Sequence, residues 1–424
     1  MATDTPFTRL HIQTARDVAA TPWQQRALQA LEEAGFPDRR VEEFRFFDAA
    51  SVLNQSWTLD GATSPAESRR RVDALELPAA AAVIVIVDGQ MLPELSDVSR
   101  LPELQVSQDD ASVDWVALAE RSRTPFGAWA QACQSGRVQI TLPADTRVEE
   151  PVIVVFLQSA LSPMEHGSAV THVRLGRNSQ LSVLEVHASV GLEIALNTSC
   201  VFYDVGDGAV LERGVLHSFG SSVVGITEST IELGRDSRIL QVAASVSHAD
   251  VRETTAVHLR AAGAHAALNA LLAAGAKDNV DHHTLIDHLV ADCTSEQLYK
   301  TMLSGNGHGV FNGRIIVHPR AQRTAANQLS RALMLSAGAR LDAKPQLEIF
   351  ADDVRCTHGA TVGQLDEQEL FYLSSRAIPP ALGRAMLVRG FAREITDCMS
   401  NLPMRQWMEQ QVDRCVHRLA AQQD

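Results

Sequence analysis

The pentapeptide Leu-Gly-Arg-Asn-Ser at residues 175–179 returns as Leu-Gly-Arg-Asp-Ser at residues 233–237. A related turn, Val-Gly-Asp-Gly, lies between them at 205–208, and Ala-Gly-Ala follows at 262–264. These turns are about 29 residues apart, and a fixed spacing in that range is typical of stacked structural repeats. The runs between them are short and rich in Val, Ile, Leu and Thr, without helical periodicity. The pattern therefore predicts a mainly β fold, a β-solenoid; a β-sandwich is the alternative, but it does not explain a repeated turn.

Helical patterns flank this region on both sides. Thr21 followed by Pro22 is a typical helix start, since threonine caps the first turn and proline suits its first position. Residues 1–135 are therefore predicted to form a mainly helical N-terminal domain and residues 136–363 the solenoid core. Residues 364–424 return to helical patterns and are predicted to form a C-terminal helical domain.

Charge and targeting features narrow the functional class. The formal net charge of −14, with no basic cluster to offset it, argues against a nucleic-acid-binding surface. The N-terminus lacks the apolar core of a secretion signal, and the apolar run at 79–87 is too short to span a bilayer. The six cysteines are scattered without a CxxC pair, as is typical of a reduced protein. We therefore expect a cytoplasmic protein that binds neither nucleic acid nor membranes.

The best candidate metal ligands are Cys356 and His358. They are two residues apart in a strand-like segment, so both side chains should leave the same face of the strand. A thiolate and an imidazole on one face suit a soft metal or an iron–sulfur species, although two ligands cannot complete such a site. The alternative is that Cys356 is a core thiol beside Val354 and that His358 is only hydrogen-bonded.

A second group of possible ligands lies in one short segment. It contains Asp281, His282, His283, Asp287 and His288. On a strand, the first and third of these share one face and the second takes the other. The favoured interpretation is a polar solenoid face with hydrogen-bonded histidines rather than a metal site.

The stretch at 345–378, PQLEIFADDVRCTHGATVGQLDEQELFYLSSRAI, resembles the C-terminal signature of the SufB/SufD family. These proteins are scaffold subunits of the Suf machinery that assembles iron–sulfur clusters. The resemblance extends back through 313–317 and 321–324 and forward through 390–395, whereas upstream it is mostly one of layout and length.

Three positions depart from the family pattern. Ala377 stands where the family usually has glycine. The segment 327–330, where SufB carries a functional cysteine, has no thiol, and Gly359 replaces the glutamate that follows the histidine in SufB. The last two departures favour the SufD branch of the family.

The resemblance implies a right-handed parallel β-helix and a non-enzymatic scaffold that pairs with a SufB-like subunit. It also implies that a SufC-like ABC ATPase, which hydrolyses the ATP, docks on residues 364–424. His358, preferred over Cys356, would supply a ligand to a transient iron–sulfur cluster at the joint with the partner, while the isolated chain would bind no cluster and could form a homodimer. The expected partner contacts on the C-terminal helices are Leu365, Phe371, Tyr372, Arg384, Phe391 and Arg393.

Two other functions remain open at this point. A carbohydrate-active β-helix enzyme, such as a polysaccharide lyase, would fit the fold, but such enzymes are typically secreted and line a groove with carboxylates or basic residues. A SufB-like core acting alone is disfavoured by the missing thiol near Leu329. The glycine-rich segment 305–309 is not followed by the GK[ST] of a phosphate-binding loop, so ATP hydrolysis by this chain is not expected.

Overall fold

The computed structural model describes residues 4–59, 64–134 and 136–421, and the side chains up to residue 419. Within those ranges the helices in chain order are α1 Pro6–Val18, α2 Pro22–Ala34, α3 Ala49–Leu53, α4 Pro65–Ala74, α5 Trp115–Ala119, α6 Pro125–Cys133, α7 Glu367–Ser375, α8 Pro380–Thr396 and α9 Leu402–Ala421. Two short 3₁₀ helices are at Glu42–Phe44 and Pro93–Leu95. None of the described helices is both long and apolar enough to cross a membrane.

Strands dominate the middle of the chain. In order they are β1 Ala82–Val87, β2 Gln90–Met91, β3 Gln105–Gln108, β4 Arg137–Leu142, β5 Val152–Gln158, β6 Glu165–Leu175, β7 Gln180–Ser189, β8 Ala195–Val205, β9 Val210–Ser218, β10 Val223–Leu233, β11 Arg238–Ser245, β12 Val251–Leu259, β13 His265–Ala274, β14 Asn279–His288, β15 Thr294–Leu303, β16 His308–Val317, β17 Thr324–Met334, β18 Arg340–Ile349 and β19 Val354–Gly363.

From β4 onward the strands form two parallel sheets that wind as a solenoid. The even-numbered strands pair in the order β18-β16-β14-β12-β10-β8-β6-β4, and the odd-numbered strands in the order β19-β17-β15-β13-β11-β9-β7-β5. Each coil contributes one strand to each sheet and pairs in parallel with the coils before and after it. The predicted β-solenoid is therefore confirmed, whereas a β-sandwich would have two sheets of largely antiparallel strands.

The repeated turn has a conformational cause. Asn178 and Asp236 occupy the same position in two turns, with φ of 54° and 55°, and Gly208 and Gly263 occupy it in the others, with φ of 68° and 80°. The left-handed region is accessible at low cost mainly to glycine, asparagine and aspartate. These four coils therefore carry such a residue at the same corner, and this preference produces the spacing seen in the sequence. Arg323, with φ of 57°, occupies the corresponding corner of a later coil, so the preference is not absolute.

The two ends of the solenoid differ. At its N-terminal end β1 pairs in parallel with β5, and the short antiparallel strands β2 and β3 then terminate the two sheets. The region predicted as a mainly helical N-terminal domain thus also supplies three strands to the solenoid. At the C-terminal end β18 and β19 are the last strands of their sheets. No described strand covers their outer edges.

The N-terminal helices pack on the outer face of the even-numbered sheet. Phe126 and Trp129 of α6 belong to one apolar cluster with Leu196 of β8. Glu228 of β10 fixes the start of α6 by accepting hydrogen bonds from the backbone N–H and the hydroxyl of Thr124, at 3.0 and 2.6 Å. These contacts anchor the N-terminal helices to the solenoid wall.

The C-terminal helices cover part of the outer face of the odd-numbered sheet. Trp407 and Val412 of α9 are buried with Val186 of β7. The Lys300 side chain, only 2% exposed, donates to the backbone carbonyl of Phe391 at 2.9 Å and forms an ion pair with Glu394 of α8. The predicted C-terminal helices therefore exist, and α8 and α9 are built onto the solenoid.

The interior of the solenoid holds ionised groups as well as apolar ones. The Arg213 guanidinium is fully buried and contacts the Glu185 carboxylate at 2.6 Å. Burial by itself would raise the pKa of Glu185, but the charge and hydrogen bonds of Arg213 outweigh it, and the pKa falls to about 2. The pair is satisfied only while both partners are present.

Replacing Arg213 with Met should therefore lower stability by about 3–5 kcal/mol, because Glu185 would remain buried without its counter-charge. Urea unfolding followed by circular dichroism measures this loss. The double variant Arg213→Met/Glu185→Gln should recover much of it, since no unpaired charge is left. An equal loss of stability in the single and double variants would show that the packing of the Arg213 side chain, and not its charge, stabilises the interior.

Candidate functional site

The candidate site lies at the open C-terminal end of the solenoid. Strand β19 pairs with β17 on one side, and β18 pairs with β16. Their other edges have no strand partner among the described residues, so backbone N–H and C=O groups face outward. Exposed apolar side chains accompany these edges, namely Ile349, Phe350 and Val362, which are 41%, 61% and 63% exposed.

Cys356 and His358 both lie on β19, as their spacing predicted. Val354 and Cys356 pack against the solenoid core, which identifies this face of the strand as the inner one, and His358 shares it by the two-residue alternation. Cys356 is half-buried, whereas His358 is exposed. The imidazole therefore lies on the inner face of the last coil, and no further coil of the described residues covers it.

The two side chains differ as ligands. Burial raises the pKa of the Cys356 thiol, an effect only partly opposed by a hydrogen bond with the Ala326 backbone. A thiol is a metal ligand only as the thiolate, so this environment disfavours ligation by Cys356. Among the described residues no group of three or more His, Cys, Asp or Glu side chains is placed to hold a metal ion. Any cluster at His358 must therefore take ligands from outside this part of the chain.

The histidine-rich segment forms β14, and most of its polar side chains contact other polar groups of the chain. On its outer face Asp281 contacts the His283 ring at 2.8 Å and pairs with Arg252. On the inner face the His282 ring contacts the Ser245 hydroxyl at 2.8 Å, and burial, the largest influence on it, lowers the pKa of His282 to about 4. The interpretation as polar, hydrogen-bonded faces is confirmed.

The rest of that segment makes similar contacts, although Nδ1 of His288 is buried without a partner among the described residues. Asp287 lies between His258 and His318, at 3.2 and 2.7 Å. His288 contacts the hydroxyl of Ser295 at 2.9 Å. The segment therefore stabilises the wall of the solenoid.

The predicted partner contacts divide into two groups. Phe371 and Tyr372 of α7 are 76% and 56% exposed and form an apolar surface. The others are at least partly committed within the chain: Leu365 and Phe391 pack against the C-terminal core, Arg393 lies 3.6 Å from Glu409, and Arg384 is half-buried.

Sequence reasoning missed two members of the exposed surface. Leu382 and Met386 of α8, a helix packed against α7, are 52% and 45% exposed. Both fall on the apolar side of the α8 pattern, so they resembled core residues. The available signal was that apolar residues extend around most of α8, so that α7, α9 and the odd-numbered sheet together leave these two uncovered. We call Phe371, Tyr372, Leu382 and Met386 the α7–α8 surface.

Comparison with known proteins identifies the family. A family model described as "SUF system FeS cluster assembly, SufBD core domain" matches residues 159–391, more than half of the chain. The chain is 26% identical over 407 residues to the iron–sulfur cluster assembly protein SufD of Escherichia coli, covering 93% of both chains. It is 31% identical over 266 residues to the SufBD family protein Rv1462 of Mycobacterium tuberculosis, covering 60% of this chain and 65% of the relative. The chain belongs to the SufBD family of iron–sulfur cluster assembly proteins.

This assignment confirms the resemblance seen at residues 345–378. It is consistent with a scaffold rather than an enzyme, and it removes the reason for considering a carbohydrate-active enzyme.

Proposed function

We propose that this chain is a SufD-like scaffold subunit that pairs with a SufB-like subunit through the open end of its solenoid. At that joint His358 supplies one ligand to a transient iron–sulfur cluster, which is the cargo of the assembly. The observation that carries the proposal is an exposed imidazole on the inner face of a last coil whose strand edges are unpaired.

The open end suits a second solenoid as its partner. An added strand can pair with the outer edges of β18 and β19, which converts unpaired backbone groups into sheet hydrogen bonds. Exposed Phe350 and Val362 beside those edges would be buried at the same time. A second copy of this chain offers the same edges, so the isolated subunit is expected to form a homodimer by the same route.

The ligand chemistry favours His358 over Cys356. A neutral imidazole can bind iron without first losing a proton, whereas the half-buried thiol of Cys356 must be deprotonated against a raised pKa. The remaining ligands, thiolates above all, would come from the SufB-like partner. Cys356 then contributes mainly to the packing of the last coil.

The α7–α8 surface is proposed to dock the SufC-like ATPase. Its four exposed apolar side chains are the kind of anchor that protein interfaces bury. Lys300 links α8 to β15 through the Phe391 carbonyl and ring, the latter 4.1 Å away. Since β15, β17 and β19 are successive strands of one sheet, the docked ATPase would be connected to the strand that carries His358.

Replacing His358 with Ala should lower the yield of iron–sulfur cluster in the reconstituted complex by about tenfold or more, because the site loses a ligand. Pairing, ATPase docking and folding should be unchanged. The visible absorption of the complex after addition of iron and a sulfide donor measures the yield.

The matched control is His417→Ala, which removes an exposed histidine from α9. It should leave the cluster yield at the level of the unaltered complex. A full yield from the His358→Ala complex would reject the ligand role.

Replacing Phe371 with Asp should weaken binding of the ATPase by about 30-fold, because a charge would replace an exposed aromatic side chain that the proposed interface buries. Isothermal titration calorimetry with the purified ATPase measures the affinity. Leu192→Asp is the control, since Leu192 is an 86% exposed leucine in the loop between β7 and β8. Equal affinities for the two variants would place the docking surface elsewhere.

A further inference from the structure

Gln328 is the inner-face neighbour of His358. The two residues are Cα partners in the parallel pairing of β17 with β19. Gln328 is fully buried, whereas His358 is exposed. The amide group therefore lies where the closed interior of the solenoid meets its open end.

The Gln328 amide is held from the interior side. Its Nε2 donates to the Oε1 of Gln297 on β15, and Gln297 in turn donates to the hydroxyl of Thr284 on β14 at 2.9 Å. Gly313 of β16 leaves the room that this requires, since a Cβ there would lie 2.2 Å from Gln328 Nε2 and 2.6 Å from the Phe311 ring. The position of the amide is thus fixed by both sheets.

The oxygen of the Gln328 amide has no hydrogen-bond partner among the described residues. This atom, Oε1, is also buried. An unpaired buried acceptor typically costs about 1–3 kcal/mol, so such an atom in a native structure calls for a partner. The Nε2 atom already donates to Gln297 on β15. The Oε1 atom therefore remains to accept a hydrogen bond from β19, the strand on the other side of β17, where the paired residue is His358.

We propose that Gln328 is a positioning residue for His358: its Oε1 accepts a hydrogen bond from one imidazole N–H. That bond fixes the tautomer and the ring plane, so that the other nitrogen presents its lone pair to the open end. Ligating histidines almost always donate their second N–H in this way. The inference rests on the proposed ligand role of His358 and adds the residue that orients the ligand.

The test compares three variants of the full chain in the reconstituted complex. Gln328→Met keeps the length of the side chain but removes the acceptor, and should speed loss of the cluster to an iron chelator by about tenfold. Thr301→Val is the matched control, because Thr301 is also buried on the inner face with an unpaired hydroxyl but faces Ala332. It should lose its cluster at the unaltered rate.

The third variant, Gln328→Glu, is the rescue. Burial favours the protonated acid, which can donate to Gln297 and still accept from His358. Cluster retention should therefore approach that of the unaltered complex at low pH. The carboxylate formed at higher pH also accepts from His358, as carboxylates commonly do for ligating histidines, so retention should stay above that of Gln328→Met at higher pH as well.

Combining Gln328→Met with His358→Ala distinguishes positioning from general damage. Gln328 acts through His358, so the double variant should be no worse than His358→Ala alone. A further loss in the double variant would overturn the inference. If His358→Ala lowers cluster yield but Gln328→Met keeps its cluster normally, only the positioning role fails. If His358→Ala is itself silent, the proposed function fails.

A measurement without cluster provides the second readout. Selective ¹⁵N labelling of histidine, with the His358 signals assigned from their loss in His358→Ala, shows which ring nitrogen carries the proton. One tautomer should dominate in the unaltered chain and in Thr301→Val, and a mixture should appear in Gln328→Met. The same tautomer populations in all three chains would overturn the inference.

Discussion

Each coil of a solenoid satisfies the backbone hydrogen bonds of its neighbours, and the last coil has no successor. This constraint accounts for the difference between the two ends of the solenoid. The N-terminal end is terminated by the antiparallel strands β2 and β3, as natural sheets often protect their edges. The C-terminal end has no such device among the described residues. A protein that leaves one end uncovered has kept two strand edges and an inner face available for a partner.

The same constraint explains why polar groups continue through the interior toward that end. A column of side chains at paired positions runs along the inner face of the odd-numbered sheet. In order it contains Arg213, Gln241, Leu268, Gln297, Gln328 and His358, and all of these except Leu268 are polar. Inside the solenoid a buried polar group is stabilised by a partner on an adjacent strand or on the opposite sheet, although Nε2 of Gln241 and Oε1 of Gln328 have none among the described residues. The final member has only one adjacent strand among the described residues, so its imidazole is exposed, as the proposed role at the joint requires.

The sequence predicted the solenoid because its corners favour residues that readily adopt the left-handed backbone conformation. Asn178 and Asp236 are such residues, and they recur within the repeated turn. It placed Cys356 and His358 on one face for a similarly local reason. It could not place Gln328 beside His358, because coil lengths vary: Leu175 to Val205 spans 30 positions and Val205 to Leu233 spans 28. The register between strands depends on the length of every intervening turn. Contacts between distant residues, such as Thr124 with Glu228, therefore cannot be predicted from residue spacing in the sequence.

Pairing through the open end of the solenoid can be tested by hydrogen–deuterium exchange of the chain alone and with the proposed SufB-like partner. Amides of β18 and β19, within residues 340–363, should become protected on pairing, while those of β2 and β3 should not change. A homodimer of the isolated chain would give partial protection of the same strands, diminishing on dilution. Protection confined to the N-terminal helices or to α7, with β18 and β19 unchanged, would contradict pairing through the open end.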